Sequence, residues 1–129
     1  MATILIIDDE QAHREHAAKI LRAAGYHVQL AEGGAQGLER IAESAPDLVL
    51  CDAMMPEVDG YAVLEKVRAN AATRCLPFAM FTALRVKGIR SEAKRLGAQD
   101  FLYKPYAAEE LLAMVRRLLG SAGPAGPAS

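Results

Sequence analysis

The chain has no apolar stretch of membrane-spanning length and no basic N-terminal region leading into a signal sequence. Neither a spanning segment nor an export signal can be read from it, so a soluble, cytoplasmic protein with no membrane partner is expected. It also lacks an excess of charge of either sign: 15 Lys and Arg stand against 16 Asp and Glu, for a formal net charge of −1. That balance leaves no electrostatic footprint for nucleic acid and argues against DNA or RNA binding by this chain alone. Cysteine is scarce. Cys51 and Cys75 have no metal-ligand spacing and no partner His cluster, and Cys51 sits inside an apolar run. It reads as a buried thiol, which suits a reducing cytosol. What is present is an ordinary globular composition, 52% hydrophobic and 24% charged over 129 residues. That length suits one domain with a proper core and is too short for two.

Along the chain the apolar pattern alternates between short continuous runs and helical periodicity. Thr3 to Ile7 (TILII) reads as a strand buried on both faces. Ala17, Ile20, Leu21 and Ala24 then recur at helical spacing until Gly25, which adopts positive φ at little cost, closes the helix. His27 to Ala31 predicts a second strand, and Leu38, Ile41 and Ala42 mark one face of the next helix. Asp47 to Cys51 predicts the third strand, followed by a Pro-containing loop and a helix with Tyr61, Leu64 and Val67 inward. Pro77 to Phe81 predicts the fourth strand, ended by Thr82, and Arg85 to Leu96 a helix interrupted by Gly88. A mid-helix glycine costs about 1 kcal/mol relative to Ala. Gln99 to Tyr103 predicts the fifth strand and Ala107 to Leu119 the last helix. The Gly/Pro/Ala/Ser-rich end reads as a disordered tail or linker stub over 121–129, after a domain covering 1–120.

Five strand–helix units in series imply an α/β fold: a doubly wound, five-stranded parallel sheet, flavodoxin-like, with order 2-1-3-4-5. Ligands of such sheets bind beyond the carboxyl ends of the strands, at the switch point between strands one and three. Asp8 and Asp9 end strand one and Asp52 ends strand three, so the three acids should converge on one crevice. Gathered acids repel, and their pKa values should rise unless a cation is present. An oxygen-only donor set without His or Cys points to a hard divalent ion, Mg²⁺ (or Mn²⁺). Thr82 adds a hydroxyl at the tip of strand four and Lys104 an ammonium just past strand five. A metal, a carboxylate nucleophile, a hydroxyl and a fixed positive charge together suit an incoming phosphoryl group.

The motifs IIDDE (Ile6 to Glu10), LCDAMMPEVDG (Leu50 to Gly60), FTA (Phe81 to Ala83) and YKPY (Tyr103 to Tyr106) stand in order at compatible spacing. Together they resemble the receiver domain of two-component response regulators, of the chemotaxis-regulator-like kind, from Ala2 to about Leu119. The resemblance implies that Asp52 accepts phosphate from a sensor histidine kinase or a histidine phosphotransfer protein. It implies Asp9 as a direct metal ligand, Asp8 as a mainly water-mediated one, and the backbone carbonyl of Met54 as a third direct contact. Thr82, the Ala83 N–H and Lys104 become phosphoryl contacts, and the Lys104–Pro105 bond resembles the family's cis peptide. Phe101 falls at a switch aromatic position, where it would follow Thr82 and remodel the face made by the fourth helix, fifth strand and last helix. Through that face the domain would control a downstream protein or an output domain absent from this chain, or form a phosphorylation-linked homodimer. The implied chemistry is autocatalysed transfer to its own Asp, not turnover of an external substrate. Two positions depart from the pattern: Met54 and Leu84, which flank the phosphoryl site, are apolar and cannot orient water, so slow self-dephosphorylation is expected. Phe101 lacks the hydroxyl of a Tyr, so its buried rotamer would go without that hydrogen bond.

Each residue also has a plainer reading. Asp8 with Gln11 makes a passable capping box, Thr82 could be an ordinary strand-end hydroxyl, and Lys104 a solvated charge before a helix-starting Pro. His13 and His16, three apart on the first helix, read as surface histidines. Arg85, Lys87, Arg90, Lys94 and Arg95 read first as a solvated helix face, and second as a docking face for an acidic partner, with Arg116 or Arg117 nearby. Two other functions compete: a receiver-like adaptor that is never phosphorylated, and a haloacid-dehalogenase-type aspartyl-phosphate hydrolase. The hydrolase needs a second acid two residues after its nucleophile, where Met54 stands, and the intact acids and Lys104 weigh against the adaptor. A flavodoxin would need a Ser/Thr/Gly phosphate loop after strand one, which is missing.

Overall fold

The computed structural model describes residues 2–122, and the first apolar run, β1 (Thr3–Ile7), lies in the middle of its sheet. β3 (Leu48–Asp52) and β4 (Phe78–Thr82) are buried along their whole length, as strands covered on both faces must be. The partly exposed strands, β2 (His27–Ala31) and β5 (Asp100–Tyr103), are the two edges. All neighbours pair parallel in the order β2-β1-β3-β4-β5.

Alternation along each strand sorts the apolar side chains onto two faces. Leu5, Ile7, Val49, Cys51, Phe78 and Met80 pack under α2 (Gly34–Glu43), α3 (Gly60–Ala69) and α4 (Ile89–Leu96). Ile4, Ile6, Leu48, Leu50, Ala79 and Phe81 pack under α1 (Gln11–Ala23) and α5 (Ala108–Ala122). Among the described residues no helix is long and apolar enough to cross a membrane.

Most predicted element ends move by a residue or two. Ala24 and Ala42, grouped by helical spacing with Leu21 and Ile41, are exposed. The larger correction concerns Gly88. It does not interrupt a helix running from Arg85; it stands at the N-cap of α4 with φ 88°, and the helix begins at Ile89. A left-handed residue cannot sit inside an α-helix, and glycine takes that conformation without a Cβ clash. Residues 85–87 therefore form an irregular connection. At the other end α5 continues to Ala122, two residues into the segment expected to be a tail. The remainder of that segment, 123–129, lies outside the described residues.

Strand register decides what meets at the carboxyl edge. Ile7 lies opposite Cys51, so Asp8 and Asp52, each one residue further on, stand side by side. Phe81 pairs with Asp52, and Thr82 with Tyr103, which brings Thr82 and Lys104 to the same edge. Gly60 closes the loop after β3: its N–H donates to the Ala53 carbonyl at 3.0 Å, and a Cβ there would lie 2.3 Å from the Asp52 carbonyl oxygen. Only glycine lets α3 start so close to the strand that carries Asp52.

Candidate functional site

Four polar or charged side chains are buried among the described residues, Asp8, Asp52, Thr82 and Lys104, and all four lie at this edge. Buried polar groups need partners, and here they are each other's. Lys104 Nζ donates to Asp8 Oδ2 at 2.6 Å and to Asp52 Oδ2 at 2.8 Å. It also lies 2.9 Å from His13 Nδ1 and 4.8 Å from the centre of the Phe81 ring. The second carboxylate oxygens are held by backbone: Asp8 Oδ1 accepts the Glu10 N–H and Asp52 Oδ1 the Met54 N–H, each at 3.0 Å. Arg14 braces the start of α1 by donating to the Asp8 carbonyl at 2.8 Å. Thr82 Oγ1 accepts the Leu84 N–H at 3.2 Å.

These contacts set the protonation of the surrounding groups. Burial works against the Lys104 ammonium, but its hydrogen bonds to Asp52 and Asp8 and their negative charges carry its pKa above the ordinary lysine value. Burial pushes the Cys51 thiol well up, and Asp52 and Asp8 add to the effect, so it stays a protonated core residue. Tyr106, its ring parallel to that of Phe81 with centres 6.3 Å apart, is pushed up to about 12 by burial and then by Asp8.

Asp8, Asp9 and Asp52 each offer a carboxylate oxygen, and the three lie within 4.8 Å of one another. Asp9 is exposed while the other two are buried, so the group opens to solvent on one side. Three carboxylates with no nitrogen or sulfur donor fit a hard divalent ion that keeps part of its water shell. A cleft of about 290 Å³ opens over Asp52 between Asp9 and Thr82, with Ala83, Met54 and Leu84 among its lining residues. Met54 and Leu84 are 46% and 41% exposed, so the rim of the cleft is apolar.

Asp8, Asp9, Asp52, Thr82, Ala83, Met54 and Lys104 are thus gathered around one cleft, and the Lys104–Pro105 peptide is cis. The capping box of Asp8 and Gln11 does not form: Glu10 is the N-cap of α1, and the Gln11 amide goes to Glu15. Phe101 is buried, edge-on to Tyr103 with ring centres 5.1 Å apart. Of the basic run, Arg95 is paired with Glu92 and Arg85 lies over the Tyr103 ring, while Lys87, Arg90 and Lys94 are exposed. His13 qualifies the surface reading: its side chain stays 40% exposed, yet its ring reaches Lys104. Tyr106 was given no role by sequence reasoning. With His13, His16, Ala83, Lys104 and Pro105 it lines a second cavity of about 200 Å³ beside the cleft. The only sequence signal for His13 was its position one helical turn beyond Asp9 on an amphipathic helix.

A doubly wound sheet with paired acids and a buried lysine at its switch point defines a phosphoryl-handling α/β domain. Comparison with known proteins names the family: residues 4–116 match the family model of the response regulator receiver domain, and the chain belongs to that family. It is 41% identical over 121 residues to the response regulator MprA of Mycobacterium sp. (strain KMS), covering 94% of this chain and 52% of that protein. It is 40% identical over 119 residues to the DNA-binding dual master transcriptional regulator RpaA of Synechocystis sp., covering 92% and 49% respectively. The chain therefore spans about half the length of these curated relatives. Among solved structures, the chemotaxis protein CheY4 of Vibrio cholerae superposes with a TM-score of 0.86 at 30% identity, covering 92% of this chain and 98% of that one. This is a receiver domain of two-component response regulators, a signalling family in which phosphorylation takes place at an acidic, Mg²⁺-using pocket.

Proposed function

We propose that Asp52 is the phosphoacceptor, and that residues 1–120 form the unit that carries this chemistry. The observation that supports it best is the buried lysine bridge: Lys104 lies 2.6 Å from Asp8 and 2.8 Å from Asp52, beneath a cleft open to solvent. A strand-end carboxylate paired with a fixed cation, yet reachable from outside, is a nucleophile in waiting. One Asp52 oxygen attacks phosphorus in line; the new O–P bond forms as the N–P bond of a phosphohistidine breaks, and the imidazole nitrogen leaves. The donor is a sensor histidine kinase or a histidine phosphotransfer protein. Thr82 Oγ1, the Ala83 N–H and Lys104 Nζ take the phosphoryl oxygens as charge develops on them. Asp8, Asp9, Asp52 and the Met54 carbonyl would hold Mg²⁺ (or Mn²⁺), which neutralises phosphoryl charge when bound. This is autocatalysed transfer to the domain's own Asp, without an external substrate to turn over.

The switch follows from the same contacts. Drawing Thr82 toward the phosphoryl group empties space beside β5, and Phe101 moves into it, which changes the α4–β5–α5 face presented to a downstream protein, an output domain or a second copy. Exposed Lys87, Arg90 and Lys94 suit an acidic partner there. Met54 and Leu84 bring no polar group to orient water, so the phosphoryl group is long-lived. The reaction belongs in the cytoplasm, with the kinase's catalytic core.

Intact-mass analysis after incubation with acetyl phosphate and Mg²⁺ tests the assignment. One phosphoryl adduct is expected on the wild type and none on Asp52→Asn. An unlabelled wild type, where a known receiver is labelled, removes the claim and leaves the unphosphorylated adaptor.

A further inference from the structure

A lysine ammonium has three N–H donors and no lone pair. Lys104 spends two of them on Asp8 and Asp52, and the third points at His13 Nδ1, 2.9 Å away. To accept that donor, Nδ1 must carry its lone pair, with the ring proton on Nε2. The same Nδ1 lies 2.8 Å from Glu10 Oε1, a contact that needs a proton on Nδ1. One nitrogen cannot serve both partners. With the proton on Nε2 it accepts from Lys104; with a proton on Nδ1 it donates to Glu10 instead, and Lys104 loses its third acceptor.

We propose that His13 is a positioning residue for Lys104, whose Nδ1 lone pair supplies the third acceptor that holds Nζ over Asp52. The proposal rests on Asp52 as phosphoacceptor and adds a residue to its machinery. The geometry is specific to this ring. His13 lines both the cleft over Asp52 and the neighbouring cavity of about 200 Å³, so it forms part of the wall between them. Without it the third Lys104 donor faces a cavity whose walls are mostly apolar, and Nζ loses the restraint that fixes it laterally.

The test measures the rate of adduct formation from acetyl phosphate and Mg²⁺ at one fixed pH. His13→Ala should be slower than wild type by about fivefold, the rate equivalent of one lost hydrogen bond. His13→Gln, whose side-chain carbonyl can accept from Lys104, should recover most of the rate. Nitrogen NMR of the wild-type imidazoles should show the His13 ring proton on Nε2. Equal rates for wild type and His13→Ala, a His13→Gln no faster than His13→Ala, or a ring proton on Nδ1 overturns the proposal while Asp52 stands. A wild type that is not labelled at all overturns both.

Discussion

Two ion pairs in this molecule have the same length and opposite character. Lys104 to Asp8 and Arg95 to Glu92 both measure 2.6 Å. The first joins side chains 7% and 0% exposed across the sheet edge; the second joins side chains 67% and 44% exposed, three residues apart on α4. Water competes freely for the α4 pair, and salt screens it. At the sheet edge the Lys104 ammonium and the Asp8 and Asp52 oxygens it bridges are withdrawn from water, so each partner depends on the other. Distance is therefore a poor guide to importance, and burial a good one. The difference also fits the two regions for different work: the crevice holds charge in a fixed geometry for chemistry, while α4 offers mobile charge to a partner.

Removing a buried partner should have the largest effect. Lys104→Met leaves Asp8 and Asp52 uncompensated and should cost about 3–5 kcal/mol in urea unfolding, the range for breaking a buried pair. Added Mg²⁺ should return part of that loss, because the acids regain a cation. A destabilisation no greater than that of a surface substitution would erase the contrast. Alkaline pH should separate the regions next. Because Asp52 and Asp8 carry the Lys104 pKa above its unfolded value, the bridge's contribution is fully present below about pH 10.4. It is lost as pH rises through the folded value, and Lys104→Met should not show that loss in an unfolding series across the range. The smallest effect belongs to α4. Glu92→Gln should leave the melting midpoint within the scatter of repeat measurements at physiological salt, and a marked drop there would mean that the exposed pair behaves like the buried one.

Much of this could be read from residue order because the signals are local. Apolar runs such as Thr3–Ile7 and Phe78–Thr82 announce buried strands, and strand ends mark Asp8, Asp52, Thr82 and Lys104 as crevice residues once the sheet order is known. Gly88 escaped that logic: the helical periodicity around it is compatible with a longer α4, and only its positive φ shows that the helix starts after it. The rim of the cleft, Met54 and Leu84, was legible only through the family resemblance, which implies that these positions flank the phosphoryl site.

What lay beyond the sequence was which groups share a contact. Lys104 and Asp8 are 96 residues apart, and Lys104 and His13 are 91 apart. Periodicity places His13 on a helix but cannot say how α1 is rotated over the sheet, or what stands one side chain away. That rotation depends on how Ala17, Ala18 and Leu21 pack under α1 against Ile4, Ile6 and the α5 residues Leu111 and Val115. Residue order thus assigns the acid, the hydroxyl and the lysine to one edge, because strand ends are local features. The packing of α1 alone brings a histidine to the third donor of the lysine, because no local pattern encodes a contact between distant segments.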